Sequence, residues 1–510
     1  MLKLFGHDQE SHDPLACGGL GFDETLVQLW RRQQSCSDFQ LELVLCQRNL
    51  GQFHRLFNLA IRLMSLPAAR PVEPFDPSPL PRLRRNFDAY VVRMREMLEG
   101  TRARLSEPEP ALLDLLGHVE SRATLQNQPE LLRLLGLLTE GAYIGPRTFH
   151  LDLSNACNEN CSYCWFHSPS AKNRLDAATF DRDWSRQALP HQKTLDLVDD
   201  LARLHTVEDV LLTGKGEPLT HPTCLDIVDY IKRKKLTLTL FSNGVLLTPA
   251  TTKRLHEAGL DLLYVSLSSA SPETYELQHP GHPASELETV RRNLLALHEL
   301  KRSSGKALPK VVMVDVINHD NAHEVAEFAR WSADVGAELL RYQLIHVQYY
   351  NETLKLSGED LEKVREGLRQ AREVADANGM RIVPNVDYQM ETLDAETGAW
   401  GRNELPGEGC FVGWYFSRVW ADGTVSFCCS PKPIGNLRNE SFLQMWRGVE
   451  YARYRSAGKH LEQNHHVKFV DGTPLVNNHC FGCPNYEGLG EARRGIREHG
   501  LERWLPKPLP

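Results

Sequence analysis

The stretch Cys157-Asn158-Glu159-Asn160-Cys161-Ser162-Tyr163-Cys164 places three cysteines at C-x₃-C-x₂-C spacing. It directly follows residues 148–153, a segment that predicts a β-strand. Three thiolates in one short loop can bind three irons of an iron–sulfur cubane and leave the fourth iron open. A zinc site is the alternative, because His167 could supply the fourth ligand that zinc usually requires. The stretch therefore predicts a metal centre at the end of a strand.

Outward from this loop, strand-like and helical segments alternate along the chain. The pattern predicts strands at 148–153, 209–213, 237–242, 263–267, 310–317 and 339–345. It predicts helices between them at 194–204, 224–234, 249–258, 285–302 and 321–335, then a long helix at 358–378 and a short strand at 381–386. Such alternation indicates right-handed βαβ units and a parallel sheet. Six strands favour an α/β fold with an open, partial (β/α)₆ barrel over a closed eight-stranded one.

The N-terminal third of the chain shows a different sequence pattern. Residues 1–22 are rich in glycine and histidine, and we expect them to be flexible. Apolar periodicity then predicts an all-α domain over 23–145, carried first by Leu26, Leu29, Leu41, Val44 and Leu45. A proline-rich connector at 67–82 interrupts it, since proline cannot continue a helix. The predicted barrel covers 146–395, a small α+β domain covers 396–490, and a charged tail covers 491–510.

Composition excludes some classes of protein. A net charge of −8 argues against a protein whose main role is to bind nucleic acid. No apolar run approaches the roughly 20 residues of a membrane-spanning helix, and the first 20 residues contain no hydrophobic signal core. We therefore expect a cytoplasmic protein. The twelve cysteines would stay reduced in that compartment, which favours metal binding over disulfides.

A second group of cysteines lies near the C-terminus. Cys410 is followed by Gly423-x₄-Cys428 and by Cys480-x₂-Cys483. Residues 418–420 and 425–428 flank Asp422-Gly423 and predict a hairpin, and a helix is predicted at 441–456. Four thiolates can ligate one iron–sulfur cluster fully, although a zinc ribbon would use the same pairs. Cys429 could replace Cys428 as a ligand.

The first cysteine loop resembles that of the radical S-adenosylmethionine (SAM) superfamily, in which C-x₃-C-x-aromatic-C follows the first barrel strand. Thr213-Gly214-Lys215-Gly216-Glu217-Pro218 resembles the family's Gly-Gly-Glu-Pro segment. The resemblance implies that Cys157, Cys161 and Cys164 hold a [4Fe–4S] cluster whose open iron chelates SAM. An electron from the cluster would cleave SAM to methionine and a 5′-deoxyadenosyl radical, which abstracts hydrogen from the substrate. It also implies a flavodoxin- or ferredoxin-type electron donor.

The same resemblance implies a set of SAM contacts at the ends of the predicted strands. These are Tyr163, Gly214, Gly216, Glu217, Ser242, Asn243, Ser266 and Ser268. Glu217 would accept from the ammonium of SAM, and Tyr163 would lie near the adenine. Each hydroxyl or amide could instead form a turn or cap a helix, and Tyr163 could be a core residue.

The second cysteine group resembles the C-terminal extension called SPASM, or its shorter twitch form. The resemblance implies one auxiliary [4Fe–4S] cluster on Cys410, Cys428, Cys480 and Cys483, because no further cysteine follows Cys483. Members with this extension often modify peptides, so we expect a peptide maturase that oxidises, cross-links or epimerises its substrate. A dehydrogenase or epimerase of a sugar or other small molecule is the alternative, and a non-catalytic iron–sulfur scaffold is a third. Cys429 or Cys224 could donate hydrogen to a substrate radical.

Overall fold

The structure, a computed structural model, describes residues 2–4, 41–43, 133, 136–137, 142, 144–204, 206–401, 409–477, 480, 483, 490, 492–495 and 497. Residues 145–490 belong to one compact unit and residues 1–144 to a second. Most of the predicted helical domain, its connector at 67–82 and most of the predicted tail lie outside the described residues. No helix among the described residues has the length and hydropathy needed to cross a membrane.

Within the second unit, Leu2–Leu4 pairs in parallel with Leu41–Leu43. The prediction of a helix through Leu41 is therefore wrong at these three residues, and Leu2–Leu4 is ordered as a strand within the segment that was expected to be flexible. A short apolar run such as the one from Leu41 to Leu45 fits a strand as well as a helix, so periodicity alone does not decide between them.

A ten-stranded sheet forms the centre of residues 145–490 as far as the structure describes them. Its strands are β1 (Thr148–Asp152), β2 (Asp209–Thr213), β3 (Leu238–Ser242), β4 (Leu262–Ser266), β5 (Lys310–Ile317), β6 (Leu339–Leu344), β7 (Arg381–Ile382), β8 (Phe416–Val419), β9 (Thr424–Ser426) and β10 (Pro433–Asn436). Their order in the sheet is β10-β9-β8-β1-β2-β3-β4-β5-β6-β7. All pairs from β8 through β7 are parallel, whereas β8-β9 and β9-β10 are antiparallel.

Helices connect the parallel strands and continue into the C-terminal region. They are α1 (Arg182–Ser185), α2 (His191–Leu204), α3 (Cys224–Arg233), α4 (Pro249–Ala258), α5 (Pro272–Gln278), α6 (Ser285–Ser304), α7 (Val325–Asp334), α8 (Gly358–Asn378), α9 (Asn385–Thr392), α10 (Val412–Tyr415), α11 (Phe442–Arg447), α12 (Val449–Lys459) and α13 (Leu461–Asn464). The predicted partial α/β barrel is confirmed, and β1 to β6 lie within one residue of their predicted bounds.

Buried apolar side chains explain why these segments form strands and helices. Phe149 and Leu151 of β1 are fully buried, and so are Leu238 and Leu240 of β3. Parallel strands covered by helices on their outer face favour such apolar residues. The ends of the helices carry matching signals. Helix α8, for example, begins at a capping box between Ser357 and Asp360, which satisfies backbone groups that the helix leaves unpaired.

Two further predictions are wrong in part. The strand predicted at 381–386 ends at Ile382, and Val386 lies in α9, which begins just after Pro384. The helix predicted at 441–456 is interrupted at Gly448, whose extended backbone (φ −71°, ψ 164°) separates α11 from α12. Helix α5 was not predicted, although Ser271 caps it and Pro272 occupies its first position, a combination typical of helix starts.

The C-terminal hairpin extends the barrel sheet, a connection that the prediction of a small α+β C-terminal domain did not include. Strands β8 and β9 pair around the predicted turn, in which Gly423 has a φ of +86°. Strand β8 also pairs in parallel with β1, from Phe416 beside Thr148 to Val419 beside Leu151. The segment that leads to Cys428 is therefore an edge of the same sheet whose first strand leads to Cys157.

A buried ion pair fastens this junction. Arg418 on β8 donates from Nε to Asp152 Oδ1 at 2.9 Å and from Nη2 to Asp152 Oδ2 at 2.8 Å. Asp152 at the end of β1 is fully buried, and the Arg418 side chain is 12% exposed. Two parallel charge-assisted hydrogen bonds fix both the distance and the orientation of the strands.

We expect Asp152→Asn to lower the free energy of unfolding by about 3–5 kcal/mol, because it leaves a buried guanidinium without its counter-charge. Urea unfolding followed by circular dichroism measures this change. Glu366→Gln is the matched control, since Glu366 pairs with Arg369 on the exposed face of α8 and its loss should leave the midpoint unchanged. An unchanged midpoint in Asp152→Asn would show that the buried pair contributes no net stability.

Candidate active site

The cysteine loop after β1 supplies backbone donors to its own sulfur atoms. The N–H groups of Phe166 and His167 each donate to Cys164 Sγ at 3.4 Å. Burial raises the pKa of Cys157 to about 12 and raises the pKa values of Cys161 and Cys164 above their ordinary value. Protonated thiols would gain little from such donors, whereas thiolates bound to a metal are stabilised by them. The loop therefore fits a site that a cation must complete.

The geometry disfavours the zinc alternative. The three sulfur atoms do not all lie within 4.8 Å of one another, whereas thiolates around one zinc ion are about 3.8 Å apart. His167, the suggested fourth ligand, is hydrogen-bonded through Nε2 to the carbonyl of Lys215 at 2.9 Å and packs against Trp184. Wider spacing of the sulfurs fits a cubane, in which each thiolate binds a different iron.

The cysteine loop is clamped to the loop that follows β2. The carbonyl of Ala156 accepts from the backbone N–H of Glu217 at 2.9 Å and from Thr220 Oγ1 at 3.1 Å. A Cβ atom on Gly216 would lie 2.2 Å from that same carbonyl oxygen, and Gly214 has a φ of +151°. Gly216 is thus required by the close approach of the two backbones, and Gly214 is favoured by its positive φ. The Gly-x-Gly pattern therefore has a structural cause that does not depend on a bound ligand.

Glu217 ties the loop after β2 to the end of β3. Its carboxylate accepts from the backbone N–H of Asn243 at 2.7 Å and from that of Leu219 at 3.1 Å. The side chain is buried, and burial raises its pKa to about 7. Asn243 Nδ2 in turn donates to Asn158 Oδ1 in the cysteine loop at 2.9 Å, while Ser242 Oγ accepts from the N–H of Gly244. The predicted residues of β2 and β3 therefore meet the cysteine loop in one network.

Tyr163 brings the end of β4 into the same region. Its hydroxyl is buried, lies beside Ser266, Ser268 and Cys161, and makes no hydrogen bond. The Ser268 hydroxyl accepts from the backbone N–H of Val316 at 2.9 Å and so also joins β4 to β5. Around the loop, Asn155 Oδ1, Asn160 Oδ1 and Ser269 Oγ are likewise buried without a partner. Buried polar atoms are rarely left unpaired, so this set fits a polar ligand.

Gln278, at the end of α5, is a positioning residue that the sequence did not reveal. Its backbone carbonyl accepts from the N–H of Ser162 at 2.7 Å, and its side-chain oxygen accepts from Ser162 Oγ at 2.9 Å. Its Nε2 donates to Asn318 Oδ1 at 3.0 Å, so it connects the cysteine loop to the end of β5. The start signal of α5 at Ser271-Pro272 could have located this helix, although not the role of its last residue.

In the C-terminal region, three of the four predicted cysteines surround a buried lysine. Lys432 is 4% exposed, and its Nζ donates to Cys480 Sγ at 3.3 Å and to the carbonyl of Leu475. Burial alone would lower the pKa of Lys432, but the nearby sulfurs of Cys428, Cys480 and Cys410 raise it above its ordinary value. An ammonium in this position stabilises thiolates, which are the form that a cluster needs.

The fourth predicted cysteine, Cys483, lies against Cys429, and Cys429 also contacts its neighbour Cys428. The structure therefore brings five sulfurs into the C-terminal region instead of four.

Comparisons with known proteins agree with this geometry. Residues 151–332 match the Radical SAM superfamily, and residues 410–484 match SPASM, an iron–sulfur cluster-binding domain. The AdoMet-dependent heme synthase of Methanosarcina barkeri is 25% identical over 349 residues, which cover 66% of this chain and 91% of that protein. A PqqA peptide cyclase of Gluconobacter oxydans is 24% identical over 262 residues, covering 50% of this chain and 66% of that protein.

Among solved structures, Streptococcus suis SuiB bound to S-adenosylmethionine is similar with a TM-score of 0.46 and 14% identity, covering 72% of this chain and 79% of that one. The two matched segments contain the two cysteine groups that the sequence singles out. The chain accordingly belongs to the radical SAM superfamily and is an enzyme with a C-terminal SPASM domain, with iron–sulfur clusters and SAM as its cofactors.

Proposed function

We propose that the chain is a radical SAM maturase that modifies a peptide at carbon. In this proposal one cluster is held by Cys157, Cys161 and Cys164, and a single auxiliary cluster by Cys410, Cys428, Cys480 and Cys483. The observation that carries the proposal is the pairing of β8 with β1, which starts both cysteine groups from adjacent strands of one sheet. Cys157 follows the carboxyl end of β1, whereas Cys410 and Cys428 lie beyond the amino end of β8. The pairing therefore fixes the auxiliary group about one strand length from the first group, and a substrate bound at the carboxyl ends of the strands would lie beside the first group.

When bound, the cluster and SAM together supply the oxidising power for removing a hydrogen atom from the substrate. The protein's own residues bind and orient. Tyr163, Gly214, Gly216, Glu217, Ser242, Asn243, Ser266 and Ser268 are the proposed SAM contacts. Glu217 suits the SAM ammonium, because each of its oxygens already accepts one N–H and retains a free lone pair. The orphaned hydroxyl of Tyr163 suits a second polar group of SAM.

Two cations beside this site lie over an aromatic ring, with the carboxylates of Asp152 and Asp422 near them. Lys215 Nζ lies 4.1 Å from the ring centre of Trp420, and the guanidinium carbon of Arg418 lies 3.9 Å from it. Both oxygens of Asp152 are taken by Arg418. Among the described residues, Lys215 Nζ makes no hydrogen bond or ion pair. An ammonium in this position supports a substrate that presents a carboxylate.

The relatives support two substrate classes. The name of the Gluconobacter oxydans relative refers to a peptide, which supports the maturase. The Methanosarcina barkeri protein, matched over 91% of its length, is named a heme synthase, and this supports the oxidation of a small molecule as the second candidate. Both substrates fit a contact with the Lys215 ammonium, because acidic peptides and tetrapyrroles carry carboxylates.

Incubation with SAM and a reductant should separate the two candidates. For a maturase, a short peptide encoded beside the gene should lose hydrogen atoms, or take up deuterium from D₂O if it is epimerised, as measured by mass spectrometry. An unchanged peptide together with consumption of a carboxylated tetrapyrrole would replace the maturase by the second candidate.

For the cluster assignment, we expect about eight irons per chain after anaerobic reconstitution and reductive formation of 5′-deoxyadenosine. Cys161→Ala should reduce the iron to about four and abolish 5′-deoxyadenosine. Cys410→Ala should also reduce the iron to about four but retain 5′-deoxyadenosine, because it removes only an auxiliary ligand. Cys224→Ala is the control, since Cys224 is buried at the start of α3 outside both groups and its loss should change neither readout. One zinc per chain and no SAM cleavage would contradict the assignment.

For the auxiliary site, Lys432→Met should lower the reduction potential of that cluster by on the order of tens of millivolts, because a positive charge beside Cys480 favours the more negative, reduced cluster. A redox titration followed by electron paramagnetic resonance (EPR) measures the potential. Lys468→Met, an exposed lysine in the same region, should leave it unchanged. Equal reduction potentials in Lys432→Met and the wild type would show that the charge of Lys432 does not act on the cluster.

A further inference from the structure

A small group of metal-binding side chains lies beside the cysteine loop and has no place in the function proposed above. It consists of Glu159, His282 and Glu286, whose ligand atoms all lie within 4.8 Å of one another. Glu159 belongs to the cysteine loop itself. His282 lies in the segment that joins α5 to α6, and Glu286 lies in the first turn of α6. The group therefore bridges two parts of the chain that are far apart in sequence.

The spacing of these atoms suits one bound cation. His282 Nδ1 lies 3.2 Å from Glu286 Oε2 and 3.7 Å from Glu159 Oε2. Nitrogen and carboxylate ligands bind ions such as zinc at about 2.0–2.2 Å, so neighbouring ligands on one ion are about 3.0–3.6 Å apart. The observed distances are close to this range without any movement of the backbone.

One oxygen in the group lacks the partner that its burial demands. The Glu159 side chain is 1% exposed, and its Oε2 atom makes no hydrogen bond. The other oxygen, Oε1, accepts from the Tyr275 hydroxyl at 3.5 Å. Burial and the neighbouring Glu286 carboxylate together raise the pKa of Glu159 to about 8, so the two carboxyl groups repel each other unless a proton or a cation lies between them. A buried carboxylate oxygen that accepts no hydrogen bond has lost its solvation, which destabilises the folded protein. A cation bound between this oxygen and the facing imidazole nitrogen would compensate for that loss.

Two other side chains near Glu159 are already engaged. Cys161 and His279 also lie within reach of it. Cys161 is a proposed cluster ligand, however, and the His279 ring is held by the carbonyl of Tyr275 at 3.1 Å and by stacking on the Tyr275 ring. This leaves two carboxylates and one imidazole, a donor set that suits divalent manganese, iron or zinc.

We propose that Glu159, His282 and Glu286 bind one divalent transition-metal cation, which fastens the cysteine loop to the start of α6. Such an ion would hold Glu159, and with it the loop between Cys157 and Cys161, against a helix that is otherwise remote from the cluster. The site adjoins the first cysteine group through Glu159, but none of its three ligands is a proposed cluster ligand.

Mn²⁺ is the probe, because oxidised [4Fe–4S] clusters give no EPR signal and free Mn²⁺ is measured directly in their presence. The reconstituted, oxidised holoprotein should bind one Mn²⁺ per chain, and pulsed EPR should show coupling to an imidazole nitrogen. Glu286→Gln and His282→Gln should each weaken binding about tenfold or more, and the nitrogen coupling should vanish in His282→Gln. Glu288→Gln is the matched control, an exposed carboxylate in the same turn of α6 that should bind Mn²⁺ as the wild type does.

Iron content shows whether each variant retains its clusters, so weaker Mn²⁺ binding with full iron is specific to the site. If the wild type binds Mn²⁺ no more tightly than Glu286→Gln, the two carboxyl groups share a proton instead and the proposal is overturned. Wild-type binding without nitrogen coupling, or an equal loss in Glu288→Gln, overturns it as well.

Discussion

The ion pair between Asp152 and Arg418 is the contact on which the arrangement of the two cysteine groups depends. It lies at the carboxyl end of β1, just before the cysteine loop, and it holds the strand that leads to Cys428. A buried carboxylate and guanidinium are costly unless they meet in good geometry. The pair therefore penalises any other register between β1 and β8. Through it, the SPASM segment becomes an edge of the barrel sheet, and the turn of its hairpin lies on the side of the radical SAM site.

The cysteine loop itself is positioned by both backbone and side-chain hydrogen bonds. Ala156 contacts the loop after β2, Asn158 contacts the end of β3, and Ser162 contacts the end of α5. These contacts reach different segments of the barrel, so the loop cannot shift without breaking several of them. Preorganisation of this kind is what a site needs when its ligands must be placed accurately before the cofactor binds. The missing Cβ of Gly216 is part of it, because the loops could not otherwise approach each other.

The sequence predicts most of the barrel and of the first cysteine site, because both depend on local patterns. Buried parallel strands are apolar runs between helical segments, and β1 to β6 follow that rule closely. The cysteine loop is a continuous motif, and Glu217 and Asn243 follow strands whose carboxyl ends share one face of the sheet. Contacts between residues far apart in the sequence cannot be predicted from such local patterns. Nothing in the spacing of Asp152 and Arg418 indicates that they meet, so the pairing of β8 with β1 was not predicted.

Short elements were also missed for a physical reason. Helix α5 has seven residues and too few turns to show a periodic apolar face, so its cap and its proline were the only signals. Lys432 sits among sulfurs because the hairpin folds back on the Cys480 segment, and a lone lysine in a loop gives no hint of that contact. Conversely, Ser268 was identified from its place at a strand end, and the structure shows that its hydroxyl also has a structural partner in β5.

The electrostatics of the two cysteine groups indicate how the cofactors and the fold depend on each other. Burial raises the pKa values of the Cys157, Cys161 and Cys410 thiols, so the bare protein holds them protonated at neutral pH. Cluster binding must then displace those protons. The attraction between the thiolates and the positively charged iron core offsets the free-energy cost of that displacement. Amide donors at Cys164 and the ammonium of Lys432 reduce that cost by stabilising the thiolates in advance. Because these donors are fixed by the loop and by the hairpin, each cluster should stabilise the element that holds it.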